Sequence, residues 1–234
     1  MYGGYYYGFD WTYILVLVGA VLSMAASAHV TNTYRRYSSI RSLSGMTGAE
    51  VAKRILDING VTDVEVCHIA GNLTDHYNPA KQVVNLSDAV YGRSSAAAVG
   101  VAAHECGHVM QHEQGYLPLQ VRTALVPIAN FGSNAGIWIV LISFLLGLSE
   151  TLTMVGVILF SFGTLFQIVT LPVEFNASHR ALVMLQEYGI LQPDEVKQSR
   201  AVLRAAALTY VAAAASSILQ LLRLLLLAQG RRKK

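Results

Sequence analysis

The sequence predicts a mainly helical, multi-pass membrane protein with a small α+β portion set between its spans. Three observations carry that expectation. Hydrophobic residues make up 53% of the 234 positions and charged residues only 13%, against roughly 25% charged in a soluble domain. The shortfall is local, because several apolar runs are long enough to cross a bilayer. Between two of those runs, residues 31–125 show helical and strand-like periods that no spanning segment needs.

Residues 1–30 read as an N-terminal anchor. The leading decapeptide has no Lys or Arg, so it lacks the basic region of a secretory signal. Trp11 to His29 spans about one bilayer, and its aromatic head (Tyr5, Tyr6, Tyr7, Phe9, Trp11, Tyr13) suits an interfacial belt. Arg35, Arg36 and Arg41 follow at once. The positive-inside rule then puts the N-terminus outside and residue 31 onward in the cytoplasm.

Residues 31–125 form the cytoplasmic portion. Thr47 and Glu50 make a capping box at the head of a helix with Val51, Ile55 and Ile58 on one apolar face, ended by Asn59-Gly60. "VTDVEVCHI" alternates like a strand, and "NLTDHYNPAKQVVNLS" reads as a hairpin turning at Asn78-Pro79. Ser94 is expected to cap a helix running through His112 and stopped by Gly115.

Residues 126–173 form a transmembrane hairpin of two runs, Val126–Leu148 and Thr151–Pro172. Gly132, Gly136, Gly156 and Gly163 have the spacing of small residues at helix contacts in lipid. Asn130 and Asn134 share a face expected to point inward. Residues 174–204 return to the cytoplasm, and 205–234 hold a last apolar run, Ala205–Ala228, with a basic tail. If that run crosses fully, four basic residues land outside; otherwise it bends back, with Arg223 snorkelling. Segments 31–125 and 174–204 hold twelve Lys and Arg against those four, so the cytoplasmic assignment stands.

The net charge of +3 comes without basic–aromatic interleaving, which argues against a nucleic-acid partner. Cys67 and Cys106 make no disulfide framework and read as reduced, packed thiols. The spans carry too few ionisable residues for a transport pathway.

The chemistry concentrates in "VAAHECGHVM". On a helix, His104 and His108 lie one turn apart on the same face, which suits two nitrogens on one Zn²⁺. Glu105 stands beside the first ligand, where a carboxylate can take a proton from water. Cys106 faces the other side and packs. A third ligand must lie on the same side of the membrane, so an even number of crossings separates it from His104. The hairpin supplies two, and Glu174 in "LPVEFNASHRA" is the first acidic residue after it. Asn176 and Ser178 are candidate acceptors for the histidines' remaining N–H groups. His179 and Arg180 are candidate contacts for a substrate carboxylate or an oxyanion, or else simply face lipid headgroups.

In this order, "LTDHYNP", "AAHECGH" and "LPVEFNASHRA" resemble the bacterial membrane zinc metallopeptidases of the YugP-like family, over almost the whole chain. The pattern is also similar, more distantly, to integral-membrane gluzincins of the HtpX and CAAX-processing type. There the third ligand sits in a Glu-x-x-x-Asp block, and Ser178 holds the Asp position here. The resemblance implies a zincin-like catalytic portion with one Zn²⁺ per chain, in a bacterial cell membrane with the site facing the cytoplasm. It implies an edge strand for substrate at Leu73, Thr74 and Asp75. It also places His76 and Tyr77 near the metal as donors to the tetrahedral intermediate.

The leading reading is a membrane zinc endopeptidase acting on peptides and on unfolded or membrane proteins. Its partners are the bilayer and, compatibly, another membrane protein or a second copy. A site-2-type intramembrane protease needs its pentad within a span, which the short apolar run before His104 does not offer. The alternative from another class is a zinc-binding membrane scaffold or assembly factor with little or no turnover.

Overall fold

A computed structural model describes residues 10–232; the aromatic head at Tyr5, Tyr6, Tyr7 and Phe9 lies outside them, as do the last two lysines. The described residues form six helices and one small sheet. In chain order these are α1 (Tyr13–Ser38), α2 (Gly48–Ile58), β1 (Glu65–Ile69), β2 (His76–Asn78), β3 (Val83–Ser87), α3 (Ala96–Glu113), α4 (Leu117–Leu145), α5 (Glu150–Glu187) and α6 (Pro193–Arg232). The mainly helical class with a small sheet is therefore observed. Helices α1, α4, α5 and α6 are long and apolar enough to cross a membrane.

Each long helix extends beyond its apolar run. The expected end of the second hairpin helix at Pro172 is not an end: α5 runs through it to Glu187. A proline forfeits one backbone bond, but Val173, Ala177, Ala181 and Leu185 beyond it are fully buried, and that packing keeps the helix going. Helix α6 begins at Pro193, where a missing N–H costs nothing. Glu195 in its first turn accepts from the backbone N–H of Gln192 at 2.8 Å.

The chain divides into two compact units. One comprises Ala25–Ala124 and Ile168–Val211. In it, α2 starts from Thr47, with both bonds of the capping box formed, a feature worth about 1 kcal/mol. Val51, Ala52, Ile55 and Leu56 are buried against α3 and the sheet; each large aliphatic side chain so buried contributes on the order of 1.5–3 kcal/mol. Ile58, expected on that face, is 48% exposed, because Leu56 takes the inward position at the helix end. The sheet order is β1-β3-β2, with β1 parallel and β2 antiparallel to β3. Val84 and Leu86 of the central strand point into the core, and β2 is an edge. The cap of α3 is Ser95, whose Oγ accepts from Ala98 N–H at 3.2 Å, one residue later than expected. Ser94 stays outside because its carbonyl accepts from Ser42 N–H at 2.7 Å.

The other unit comprises Met1–Met24, Leu125–Gln167 and Ala212–Lys234. Helices α4 and α5 touch backbone to backbone here: a Cβ placed on Gly136 would stand 2.6 Å from the carbonyl oxygen of Gly156. A buried hydrogen bond, Ser143 Oγ to Thr153 Oγ1 at 2.7 Å, joins the same two helices. Asn130 and Asn134 do not point inward as expected; both are exposed, because Ala129, Gly132 and Gly136 occupy the contact face. Asn134 instead donates to its own helix, to Asn130 O at 2.9 Å. The Arg223 guanidinium lies 3.4 Å from Asp10 Oδ2 and 4.0 Å above the Tyr13 ring.

Candidate metal centre

Helix α3 is built to be approached closely on one side. Ala98, Ala102, Ala103 and Cys106 are fully buried small residues, with Cys106 turned toward Ala52 of α2, while Gly107 faces α5. A Cβ on Gly107 would sit 2.5 Å from the carbonyl oxygen of Ala177 on α5. The glycine inside the pentad therefore lets α5 lie directly on α3. That contact brings Glu174, three residues before Ala177, and Ser178, next to it, within reach of the histidines.

The result is a convergence of three groups. His104 Nε2 lies 3.4 Å from Glu174 Oε2, and His108 Nε2 lies 3.6 Å from the same oxygen. One ligand atom from each residue falls within 4.8 Å of the others, as a shared metal ion requires. The two imidazoles are nearly perpendicular, with centroids 4.8 Å apart, and their side chains are 15% and 12% exposed. Glu174 is 3% exposed, and its Oε2 has no hydrogen-bond partner. A buried carboxylate oxygen left that way is costly. A divalent cation between it and the two nitrogens would satisfy all three, and the N, N, O donor set suits zinc.

The outer contacts hold these side chains in place. Ser178 Oγ lies 3.1 Å from His104 Nδ1. His108 Nδ1 is 3.0 Å from Gln111 Oε1. Both Nδ1 atoms thus have acceptors, which leaves each Nε2 free as a lone-pair donor. Gln111 is fully buried and donates to Val173 O at 2.8 Å and to Asn176 Oδ1 at 3.0 Å. Asn176 therefore supports Gln111 rather than a histidine. Gln111 was readable in principle, three residues past His108 on the same helix face.

Burial lowers the proton affinity of His108, but its contact with Glu174 and the charges of Glu105 and Glu174 outweigh this and raise it. The pocket attracts positive charge. Burial and the Glu105 charge push the Cys106 thiol up, and its Sγ points at Ala52 O, 3.6 Å away. Cys106 packs, as its helical position implies.

A cavity of about 230 Å³ opens on the site, with Glu105, His104, Glu174, Asp75, Leu73 and Tyr210 among its walls. Glu105 is 6% exposed. Asp75 accepts from Ser87 N–H at 2.7 Å and Ser87 Oγ at 3.0 Å, while burial raises its proton affinity.

Thr74, His76, Tyr77, His179 and Arg180 do not line this cavity. Leu73, Thr74 and Asp75 precede β2 instead of forming it, because Leu73 has a left-handed φ of 55° that breaks the extended chain. His76, on the exposed edge strand, bonds Thr74 O at 2.9 Å and Asn85 Nδ2 at 3.1 Å. Tyr77 faces His112, 3.5 Å from its Nδ1, not the cavity. His179 is exposed on the outer side of α5. Arg180 Nε donates to Asn176 Oδ1 at 2.7 Å. Two phenols line the cavity: Tyr34, whose hydroxyl donates to Ala89 O at 2.5 Å, and Tyr210 of α6, which interacts with Glu174. Arg122 of α4 lies 4.0 Å from Glu174 Oε1. Nothing in the local sequence around either residue marks it.

The sequence profile of the family described as "Putative neutral zinc metallopeptidase" matches residues 12–229. The chain is 45% identical over 216 residues to "Putative membrane protease YugP" of Bacillus subtilis (strain 168), covering 92% of this chain and 96% of that protein. No solved structure matches. The chain, with its histidine–glutamate cluster and four helices long and apolar enough to cross a membrane, belongs to this zinc metallopeptidase family.

Proposed function

We propose that the chain is a zinc-dependent membrane endopeptidase in which His104, His108 and Glu174 hold the metal and Glu105 is the general base. The observation that carries this is the buried, unpartnered Oε2 of Glu174 facing two Nε2 atoms. Zinc bound there would supply Lewis acidity to a peptide carbonyl and to water. Glu105, buried in the same cavity wall, takes the proton of the attacking water and returns it to the leaving amine. Tyr210 offers an O–H to the oxyanion that develops on the carbonyl. Ser178 and Gln111 fix the imidazoles throughout.

Substrate enters as an extended chain. The open edge of β2, His76–Asn78, offers main-chain groups to an added strand, and Leu73 and Asp75 carry that line into the cavity. Such recognition tolerates many sequences and suits unfolded proteins and peptides. The site faces the cytoplasm, as the twelve basic residues of 31–125 and 174–204 against four in the tail support. These two segments make up the catalytic portion, with 1–30, 126–173 and 205–234 as membrane segments.

The test is cleavage of casein and of a quenched peptide pool by detergent-purified protein, wild type beside Glu105→Gln, with zinc measured in both. Chelator-sensitive cleavage by wild type alone, at equal zinc content, is the expected result. Equal zinc with no cleavage by either protein supports the scaffold instead. Zinc in neither removes the site.

A further inference from the structure

A second concavity lies on the outer face of α5 and α6, and of its lining the proposed chemistry uses Ser178 alone. It is a groove of about 440 Å³. Two stripes of residues line it: 175, 179 and 182 on α5, and 200, 204, 208 and 211 on α6. Each stripe has the spacing of one helix face.

The groove is polar at one end and apolar at the other. Arg200 and Arg204 stand one turn apart near the start of α6, with His179 across from them on α5; all three are exposed. Further along, Phe175, Leu208 and Val211 are 49%, 47% and 38% exposed. From that apolar end both helices continue into their longest apolar stretches. Among the described residues no carboxylate pairs with Arg200 or Arg204, and neither makes a hydrogen bond. Like charges four residues apart on a helix repel, and no ion pair among the described residues offsets that repulsion.

We infer that this groove binds one anionic phospholipid, its phosphate on Arg200, Arg204 and His179 and its acyl chain along Phe175, Leu208 and Val211. Charge complementarity selects a phosphate, since the guanidinium fork matches its oxygens. The apolar continuation selects a tailed phosphate over a free one. A basic pocket between membrane helices at the cytoplasmic boundary is where such headgroups are held. Ser178 lines both this groove and the metal cavity, and its hydroxyl contacts His104. The lipid thus lies one helix thickness from the proposed active site. The inference does not depend on peptidase activity.

The test is native mass spectrometry of the full chain in detergent, titrated with dioleoylphosphatidylglycerol. Dioleoylphosphatidylcholine is the zwitterionic control and glycerol phosphate the tail-less one. Wild type should hold one phosphatidylglycerol in preference to phosphatidylcholine, with no displacement by glycerol phosphate. Arg200→Gln with Arg204→Gln should bind about thirtyfold more weakly, two surface arginines' worth of attraction. Arg35→Gln with Arg36→Gln, outside the groove, should bind as wild type does. Gel filtration and zinc content establish that each variant is folded. If the groove double variant fails to fold, Val211→Asp tests the apolar end alone and should lose phosphatidylglycerol. Equal loss in both double variants would mean attraction to the membrane surface at large, and would overturn the inference. So would equal binding of phosphatidylcholine, displacement by glycerol phosphate, or unchanged binding in Val211→Asp.

Discussion

Two helix crossings in this protein use the same device for different ends. At one, Gly107 lets α3 meet the backbone of α5 at Ala177; at the other, Gly136 lets α4 meet α5 at Gly156. Both depend on the absence of a Cβ. Around the first crossing the neighbouring side chains are His104, His108, Glu174, Ser178 and Gln111, with Ser178 bonded to His104 and Gln111 to His108. Around the second they are Val140, Val157 and Phe160, with one hydroxyl pair. Close approach in itself only packs helices in lipid. On the proposed reading it becomes chemistry where the turns flanking the glycine carry metal-binding side chains that have their own supports.

The contrast can be tested from both sides. Tyr210→Phe should change the first region most, lowering kcat by about 10²–10³ as loss of an oxyanion donor does, with zinc content unchanged. A casein assay paired with metal analysis checks both halves. Gln111→Leu should weaken zinc binding by about 10–100-fold, the usual effect of removing a ligand's support. Competition with a calibrated chelator measures it, and an unaltered affinity would show that His108 needs no orienting partner.

Gly107→Ala and Gly136→Ala form the sharpest pair. Each should cost about 1–3 kcal/mol of stability from overpacking, seen as a lower Tm. Only Gly107→Ala should also release zinc more readily. Equal zinc retention by the two variants would erase the distinction drawn here. Smallest, Thr47→Ala should cost about 1 kcal/mol through the lost cap and leave zinc untouched, since α2 supports the core without reaching the site.

Much of this architecture was legible because local rules and tertiary demands agree. The capping box at Thr47, the spacing of His104 and His108, and the glycines at 132, 136, 156 and 163 all act through neighbours within two turns or through backbone contact. The expectations that missed did so where distant packing decides. Pro172 reads as a stop, yet buried residues beyond it hold α5 helical. Asn130 and Asn134 read as inward-facing because polar groups avoid lipid, but the small residues beside them claim the contact face. Leu73 to Asp75 read as strand, and a single left-handed residue removes them from it. Tyr210 lies beyond any local signal, on a helix whose placement only the folded chain determines.

The size of the metal cavity has a consequence for what the protein would leave alone. At about 230 Å³ it falls below the roughly 300–1,000 Å³ of pockets that enclose a whole small molecule. It has room for little more than a single side chain of a stretched polypeptide. If the proposed endopeptidase activity holds, a neighbour whose chain is folded, or helical within the bilayer, would present no such segment and would pass unharmed. On the proposed reading, discrimination would then rest on conformational lifetime rather than on sequence. A membrane protein would become prey in proportion to the fraction of time it spends unravelled.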